Sequence, residues 1–388
     1  MTCSAFPPRA CTPTAPPTTR SSCTTPSRRK WSGAANPPGF PICSRAPAPP
    51  SASAATEPPP GLSSPTVSAS VPPWTAAVPV LLLLALAVWL AGDAAYALRT
   101  RLRAAAPGAR RAPAEPFTLH PRGDPAVLLI HGFADGPAVF THLAPPLAQA
   151  GFAVRAMHLP GSGVPPAEMA GTTLVTWRAA IDREIAALRT GDPSRPVWLV
   201  GHSLGGALAF DAALRPSNAV TGLVLLAPLI EPSSVRSPLL TSRQWFHLLS
   251  RALLFSRIVE SRLPSDLHNP ETRAAYRTDK YIHRDIYRAL FAATDAIRPR
   301  AADWNGPLLV VCSPDDQIVD AAATRAFFAA AARARPAELV EQPGAGHVLP
   351  LETGHPGLAA RIVRFIQSSS PPPALTPPPA DGVEFPHD

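Results

Sequence analysis

Between residues 117 and 368, short apolar runs alternate with longer stretches of helical period. Ala126–Ile130, Phe152–Met157, Val197–Val200, Val220–Leu226 and Pro307–Cys312 offer almost no polar position to water on either face, so they read as buried strands, and Ala337–Glu341 reads as a last one. Between them, Val139–Gln149, Thr173–Leu188, Ala321–Ala332 and Leu358–Ile366 read as helices. In the second of these, Trp177, Ile181, Ile185 and Leu188 recur at the spacing of one helix face. The alternation predicts one α/β domain with a mostly parallel sheet flanked by helices. The rhythm breaks once. From Pro228 to the strand at Pro307 no further strand is legible, and residues 228–305 carry two dense apolar patches, Trp245–Val259 and Tyr276–Phe291. An interruption of that length predicts an inserted helical cap over the mouth of a site.

Upstream the pattern changes character. From Ala76 to Ala91 the chain is apolar without a break, and residues 76–98 approach the about 20 residues that span a bilayer, with Asp93 expected near one interface. Trp74, Trp89 and Tyr96 suit interfacial positions. No basic residue directly precedes the run, while Arg99, Arg101, Arg103, Arg110 and Arg111 follow it within an Arg/Pro-rich linker, residues 99–116. The asymmetry predicts a single uncleaved membrane anchor with the following domain on the cytoplasmic side. Two alternatives stay open: a secretory signal cut near Ala95-Tyr96-Ala97, and a buried core helix. Residues 1–75 are crowded with Pro, Ser, Thr and Ala, which predicts disorder, as does the Pro-rich stretch 369–388. A true start downstream, for example at Val71, is a further reading.

Charge and cysteine usage change this picture little. The formal net charge is +8, but the arginines form no basic face interleaved with aromatics, so nucleic acid is not an expected partner. Four of the five cysteines, Cys3, Cys11, Cys23 and Cys43, lie in the N-terminal segment. Cys312 alone falls on a strand of the domain and reads as a buried thiol, so neither a disulfide framework nor metal-ligand spacing is expected.

The candidate chemistry sits where strands end. Val197–Val200 runs into Gly201-His202-Ser203-Leu204-Gly205-Gly206, and Ala207-Leu208-Ala209-Phe210 then opens a helix. A G-x-S-x-G between strand and helix forces the serine to the tip of a sharp turn, and the glycines leave room for the crossing backbones. Ser203 is therefore the expected nucleophile, with the Leu204 N–H as an oxyanion donor. A serine requires a base, and the base an orienting acid. After the strand ending at Cys312 comes Ser313-Pro314-Asp315-Asp316, and after the last strand Gly344-Ala345-Gly346-His347. Asp316 and His347 are the preferred acid and base. Asp315 and His355 are the rivals, suited respectively to turn chemistry and to a helix start. His202 is read as structural because its side chain should point away from Ser203. The strand Ala126–Ile130 leads into His131-Gly132-Phe133, where the Phe133 N–H is the expected second oxyanion donor and His131 a structural residue.

His131-Gly132-Phe133, Leu159-Pro160-Gly161-Ser162-Gly163, the turn at Ser203, Asp316 and Gly346-His347 together resemble the α/β-hydrolase superfamily. Within it the chain is most similar to the branch of monoacylglycerol lipases, lysophospholipases, carboxylesterases and serine aminopeptidase-like proteins. The match covers roughly Phe117 to Gln367. The resemblance implies a Ser203–Asp316–His347 triad and an oxyanion hole from Phe133 and Leu204; the expected substrate is a small acyl ester or lipid, and this chemistry needs no cofactor. Peptidase or acyltransferase chemistry on the same fold, and an idle membrane-tethered binding protein, are the alternatives. In the first case Glu231, Glu260 or Asp266 of the cap would hold a free amine. Two positions depart from the family's pattern: Ser162 stands where a histidine is usual, and Ser313 where a glycine is usual.

Overall fold

A computed structural model describes residues 74–369 apart from 110, 113, 238, 262 and 263. The expectations for residues 1–73, and for the terminal stretch from 370 onward, lie outside the described residues.

Seven strands form the main sheet: β1 (Phe117–Leu119), β2 (Ala126–Ile130), β3 (Ala153–Ala156), β4 (Val197–His202), β5 (Gly222–Leu226), β8 (Leu308–Cys312) and β9 (Ala337–Glu341). Their order is β1-β3-β2-β4-β5-β8-β9, and every pairing is parallel except β1 with β3. Strand β2 shows why the central strands read as unbroken apolar runs. Ala126, Leu128 and Ile130 face one core, with Trp177, Phe210 and Ile297, while Val127 and Leu129 face a second, with Phe140, Leu147 and Ile362. The first core is closed by α3 (Leu174–Leu188), α4 (Leu204–Ala213), α7 (Arg284–Ile297) and α8 (Ala321–Ala330), the second by α2 (Ala144–Gln149) and α9 (His355–Ser369). Thr173 caps α3 by accepting from the Thr176 N–H, and Asp320 caps α8 by accepting from the N–H groups of Ala322 and Ala323. The helix expected over Val139–Gln149 is broken. A short 3-10 turn covers Pro137–Phe140, and α2 starts afresh at Ala144 because Pro145 and Pro146 fit only a first turn.

The insertion after β5 is less helical than its composition suggests. Helices α5 (Ser242–Ala252) and α6 (Pro270–Ala275) flank a small antiparallel pair, β6 (Ile258–Glu260) with β7 (Tyr281–His283). The first apolar patch does not lie wholly over a core. No residue of α5 is buried, and Leu248, Leu249, Leu254 and Phe255 are exposed. The second patch supplies α7, which buries Ile286, Leu290 and Phe291 and serves as the crossover from β5 to β8.

The apolar N-terminal run is one helix, α1 (Trp74–Ala105), which continues through Arg99, Arg101 and Arg103. The expected linker therefore begins with helix, because nothing between Leu98 and Ala105 breaks it. Residues Ala77–Ala105 are long and apolar enough to cross a membrane. The helix has two unlike halves. Val80 to Leu84 and Val88 are more than half exposed, whereas Asp93, Ala97, Thr100 and Ala104 are buried along one stripe. Asp93 has partners in the cap that its place in the apolar run did not suggest. Its carboxylate accepts the N–H groups of Leu254 (2.7 Å), Phe255 (2.8 Å) and Ser256 (3.2 Å) and the Ser256 hydroxyl. Three successive N–H groups around one carboxylate make an anion nest, and it fixes α1 to the cap. Arg103 adds an ion pair to Glu260 at 3.4 Å.

Candidate active site

Strand β4 ends at His202, and α4 starts at Leu204. Ser203 between them has φ 55° and ψ −120°, a left-handed conformation that a side chain tolerates only when its surroundings enforce it. Its N–H donates to the Leu226 carbonyl at 2.9 Å, and its own carbonyl accepts from Gly206, Ala207 and Leu229. The glycines make the turn possible. A Cβ at Gly201 would lie 2.3 Å from the Gly205 oxygen, and one at Gly205 would lie 2.0 Å from the Ile130 oxygen.

Three expected residues meet at this turn. His347 Nε2 lies 2.9 Å from Ser203 Oγ, and His347 Nδ1 lies 2.7 Å from Asp316 Oδ2. The second oxygen of Asp316 accepts the N–H groups of Ile318 and Val319, each at 2.8 Å. Burial alone would raise the Asp316 carboxyl, but the facing His347 and these two N–H groups outweigh it and hold the carboxyl below its ordinary value. The rivals lie elsewhere. Asp315 is exposed and accepts from the Gly344 N–H at 2.6 Å. His355 faces His142 with ring centroids 4.7 Å apart and hydrogen-bonds the Glu352 carbonyl.

Both structural histidines have definable tasks. His202 Nε2 is 3.1 Å from the His347 carbonyl, so the ring props up the loop that carries His347. Desolvation, then the proximity of His347, pushes its pKa down to about 3, which keeps it neutral. His131, also held neutral at about 3 by burial, accepts the Leu159 N–H at Nε2 (3.0 Å). Nδ1–H is then left to donate to the Gly132 carbonyl at 2.9 Å. In a trans peptide the C=O and the following N–H point in opposite directions, so fixing the Gly132 carbonyl also aims the Phe133 N–H. Among the described residues neither that N–H nor the Leu204 N–H has an acceptor. A Cβ at Gly132 would lie 3.1 Å from the Ser203 Cβ.

Beside these two N–H groups lies a recess whose apolar wall is Phe133, Met169, Trp177, Leu204, Ile282 and Ile286. Its polar lining includes Ser162 and Asp279. The Asp279 carboxylate pairs with Arg111 Nε at 3.0 Å and accepts the Gly163 N–H at 2.8 Å. Arg111 also donates to the Asp135 carbonyl and to Ser162. The linker arginine, the cap aspartate and the Asp135 loop thus form one buried cluster that reading along the sequence did not pick out. Burial pushes the Asp135 carboxyl up to about 6, opposed by the Gly136 N–H and the Tyr276 hydroxyl. The two departures from the family pattern are stitches between loops. Ser162 Oγ donates to the Asp135 carbonyl, and Ser313 Oγ donates to the Ala345 carbonyl at 2.6 Å, tying the acid turn to the His347 loop. Cys312 is buried and free, its thiol pushed up to about 11 by desolvation and then by Glu341, so it stays protonated.

None of the three cap acids named from sequence lines the recess. Glu231 pairs with Arg298 at 2.6 Å, and Glu260 meets Arg103, Lys280 and the Tyr281 hydroxyl. Asp266 accepts the N–H groups of Gln317 and His347.

Comparison with known proteins agrees with the fold. The chain is similar to a monoacylglycerol lipase of Mycolicibacterium smegmatis, 28% identical over 215 residues that cover 53% of this chain and 74% of that protein. It is also similar to the thermostable monoacylglycerol lipase of Bacillus sp. strain H-257, 25% identical over 65% of this chain and 94% of that one. The crystal structure of Paleococcus ferrophilus monoacylglycerol lipase shares the fold with a TM-score of 0.56 at 22% identity, covering 67% of this chain and all of that one. Residues 121–354 match the family described as serine aminopeptidase, S33. The chain belongs to that family, in the α/β-hydrolase branch that includes the monoacylglycerol lipases, and it is a serine ester hydrolase.

Proposed function

We propose that this enzyme cleaves medium or long acyl esters, of the monoacylglycerol and lysophospholipid kind, through Ser203, His347 and Asp316 while held at a membrane by α1. The observation that carries the reading is the hydrogen-bonded line from Asp316 through His347 to Ser203, at 2.7 and 2.9 Å. In the first step His347 takes the Ser203 proton as Oγ bonds to the ester carbonyl carbon. The N–H groups of Phe133 and Leu204 hold the oxyanion, and Asp316 stabilises the imidazolium. The imidazolium returns its proton to the alkoxide that leaves. Water, deprotonated by the same imidazole, then splits the acyl-enzyme and restores the serine.

The wall beside the two donors is apolar, which favours an acyl group over a polar one, since each methylene buried there would contribute about 0.8 kcal/mol. An aminopeptidase would need a carboxylate on the recess with no partner of its own to hold a free amine. Asp279 lines the recess but is already paired with Arg111. At 1.5 Å per residue, Trp74 to Gly92 rises about 28 Å, close to the hydrocarbon thickness of a bilayer. The arginines of the next turns would then sit on the cytoplasmic side.

The test is a panel of p-nitrophenyl esters and monoacylglycerols of increasing chain length, run on detergent-extracted protein beside Ser203→Ala and an aminoacyl arylamide. The expected result is ester turnover that rises with chain length and falls on the order of 10^4-fold or more in the variant. Arylamide release without ester turnover would replace this reading with the peptidase. Absence of fluorophosphonate labelling would replace it with an idle binding protein.

A further inference from the structure

The cap segment that returns toward the sheet passes directly behind the two catalytic loops, and one carboxylate there touches both. Asp266 Oδ2 accepts the Gln317 N–H at 2.9 Å and the His347 N–H at 3.1 Å. Gln317 follows the proposed acid, and His347 is the proposed base, so this oxygen joins, at the catalytic residues themselves, two loops that Ser313 and Asp315 also tie through the Ala345 carbonyl and the Gly344 N–H. The Asp266 carbonyl also accepts the Val348 N–H at 3.3 Å. The fit is close: a Cβ at Gly346 would lie 2.6 Å from that carbonyl oxygen. The side chain is 2% exposed, and its other oxygen faces Arg236 at 3.5 Å and His268 at 3.6 Å.

We infer that Asp266 is a positioning residue that holds the acid loop and the histidine loop in register and adds a negative charge behind the imidazole of His347. The inference rests on the proposed Ser203–His347–Asp316 reading. A backbone N–H could be satisfied by any neutral acceptor. A carboxylate does more, because the imidazole becomes positive in the transition state and a charge fixed beside its main chain favours that state. Among the described residues, the ionisable neighbours of this region include Asp315, which accepts the Gly344 N–H of the histidine loop. Asp316 faces the ring from the acid loop, neutral His202 at the end of β4 has its ring centroid 5.0 Å from that of His347, and Arg236 and His268 flank Asp266 from the cap. Glu352 accepts the N–H groups of Gly346 and His268 and so holds the opposite end of the same segment.

The geometry gives a two-way test on the full chain in detergent, read by kcat/KM for a p-nitrophenyl ester as a function of pH and by the rate of fluorophosphonate labelling. Asp266→Asn keeps an acceptor oxygen but loses the charge. The expected result is a fall in kcat/KM and in labelling rate on the order of tenfold to a hundredfold. The imidazolium loses a stabilising neighbour while Arg236 remains, so the acid limb of kcat/KM should move to lower pH by about half a unit or more. Arg236→Gln removes the cation that offsets Asp266, and its acid limb should move to higher pH. A role in stability alone would lower the melting temperature and leave both limbs in place. Limbs that stay where they are in both variants overturn the inference. If Asp266→Asn does not fold, the direction of the Arg236→Gln shift decides. Ser203→Ala runs alongside: persistent labelling there means that the triad reading has failed, whereas lost labelling with unmoved limbs means that only Asp266 was misread.

Discussion

Replacing Asp93 by alanine tests whether α1 is a free tether or a part of the cap. The carboxylate is the acceptor for the N–H groups of Leu254, Phe255 and Ser256 and for the Ser256 hydroxyl, and the residue is 4% exposed. Hydrogen bonds to a charged group are each worth about 1.5–3 kcal/mol net when they are cleanly broken. Their simple sum overstates the loss here. The bonds share one carboxylate, and those of Leu254 and Phe255 are only part-buried, so water takes over part of their role once the side chain is gone. A loss on the order of 3 kcal/mol is the reasonable expectation, and it falls on local opening of the cap rather than on the sheet. Since each 1.4 kcal/mol is a factor of ten, the opening equilibrium should rise about a hundredfold.

Hydrogen–deuterium exchange on detergent-extracted protein reads this directly. In Asp93→Ala, peptides covering Leu254 to Glu260 should exchange up to about a hundredfold faster, and β7, which pairs with β6, should follow more weakly. The strands β4 and β5, far from the nest, should keep their protection. Asp93→Asn keeps one acceptor oxygen and should fall in between. Unchanged exchange at Leu254 to Ser256 in the alanine variant would refute the reasoning: the helix would then be a tether that merely lies beside the cap. Uniform acceleration across the sheet would refute it from the other side, by making Asp93 a residue of global stability.

Two further outcomes follow from the recess and its surroundings. Ile286→Phe enlarges a side chain on the apolar wall, so selectivity should move toward shorter acyl chains by about fourfold for each methylene that no longer fits, measured as kcat/KM across the ester series. Asp135 has its folded-state pKa raised to about 6 from an ordinary 3.8, so its contribution to stability is complete below about pH 4 and is lost as the pH climbs through 6. Asp135→Asn cannot ionise, so relative to the parent its stability should improve by at most about 3 kcal/mol between pH 4 and 7 in denaturant titrations; a pH-independent difference would contradict the assignment.

What the sequence made legible was local. The turn at Ser203 is encoded within six residues, because a sharp strand-to-helix reversal demands Gly201 and Gly205, and the clashes that a Cβ would meet there bear this out. The central strands were legible because burial on both faces removes polar residues from them. The expectation that the N–H groups of Phe133 and Leu204 point to one place was open to sequence because each lies in a short turn just after a strand, β2 or β4.

What escaped depends on residues distant in the chain. Asp93 in an apolar run looks the same whether it meets headgroups or a nest 161 residues away. The only local hint was the small stripe Ala97, Thr100 and Ala104, which suits close packing better than lipid. Arg111 passed for linker charge, although it reaches Asp279 and Ser162. Asp266 reads from sequence only as one of three cap acids, and its carboxylate meets the N–H groups of Gln317 and His347 rather than the recess, because acidity near a site says nothing about which way the carboxylate faces. Asp93, Asp266 and the Arg111–Asp279 pair serve the same end. The cap meets α1 through Asp93, the linker and the Asp135 loop through Asp279, and the catalytic loops through Asp266. An insertion with an exposed α5 and only three-residue strands has little core of its own to hold it, so buried charges set its position over the recess. Such contacts contribute less to stability than well-packed apolar residues would, but they fix a single register. Ile282 and Ile286 of that same insertion line the recess, so under the proposed function its register would set which acyl chains reach Ser203.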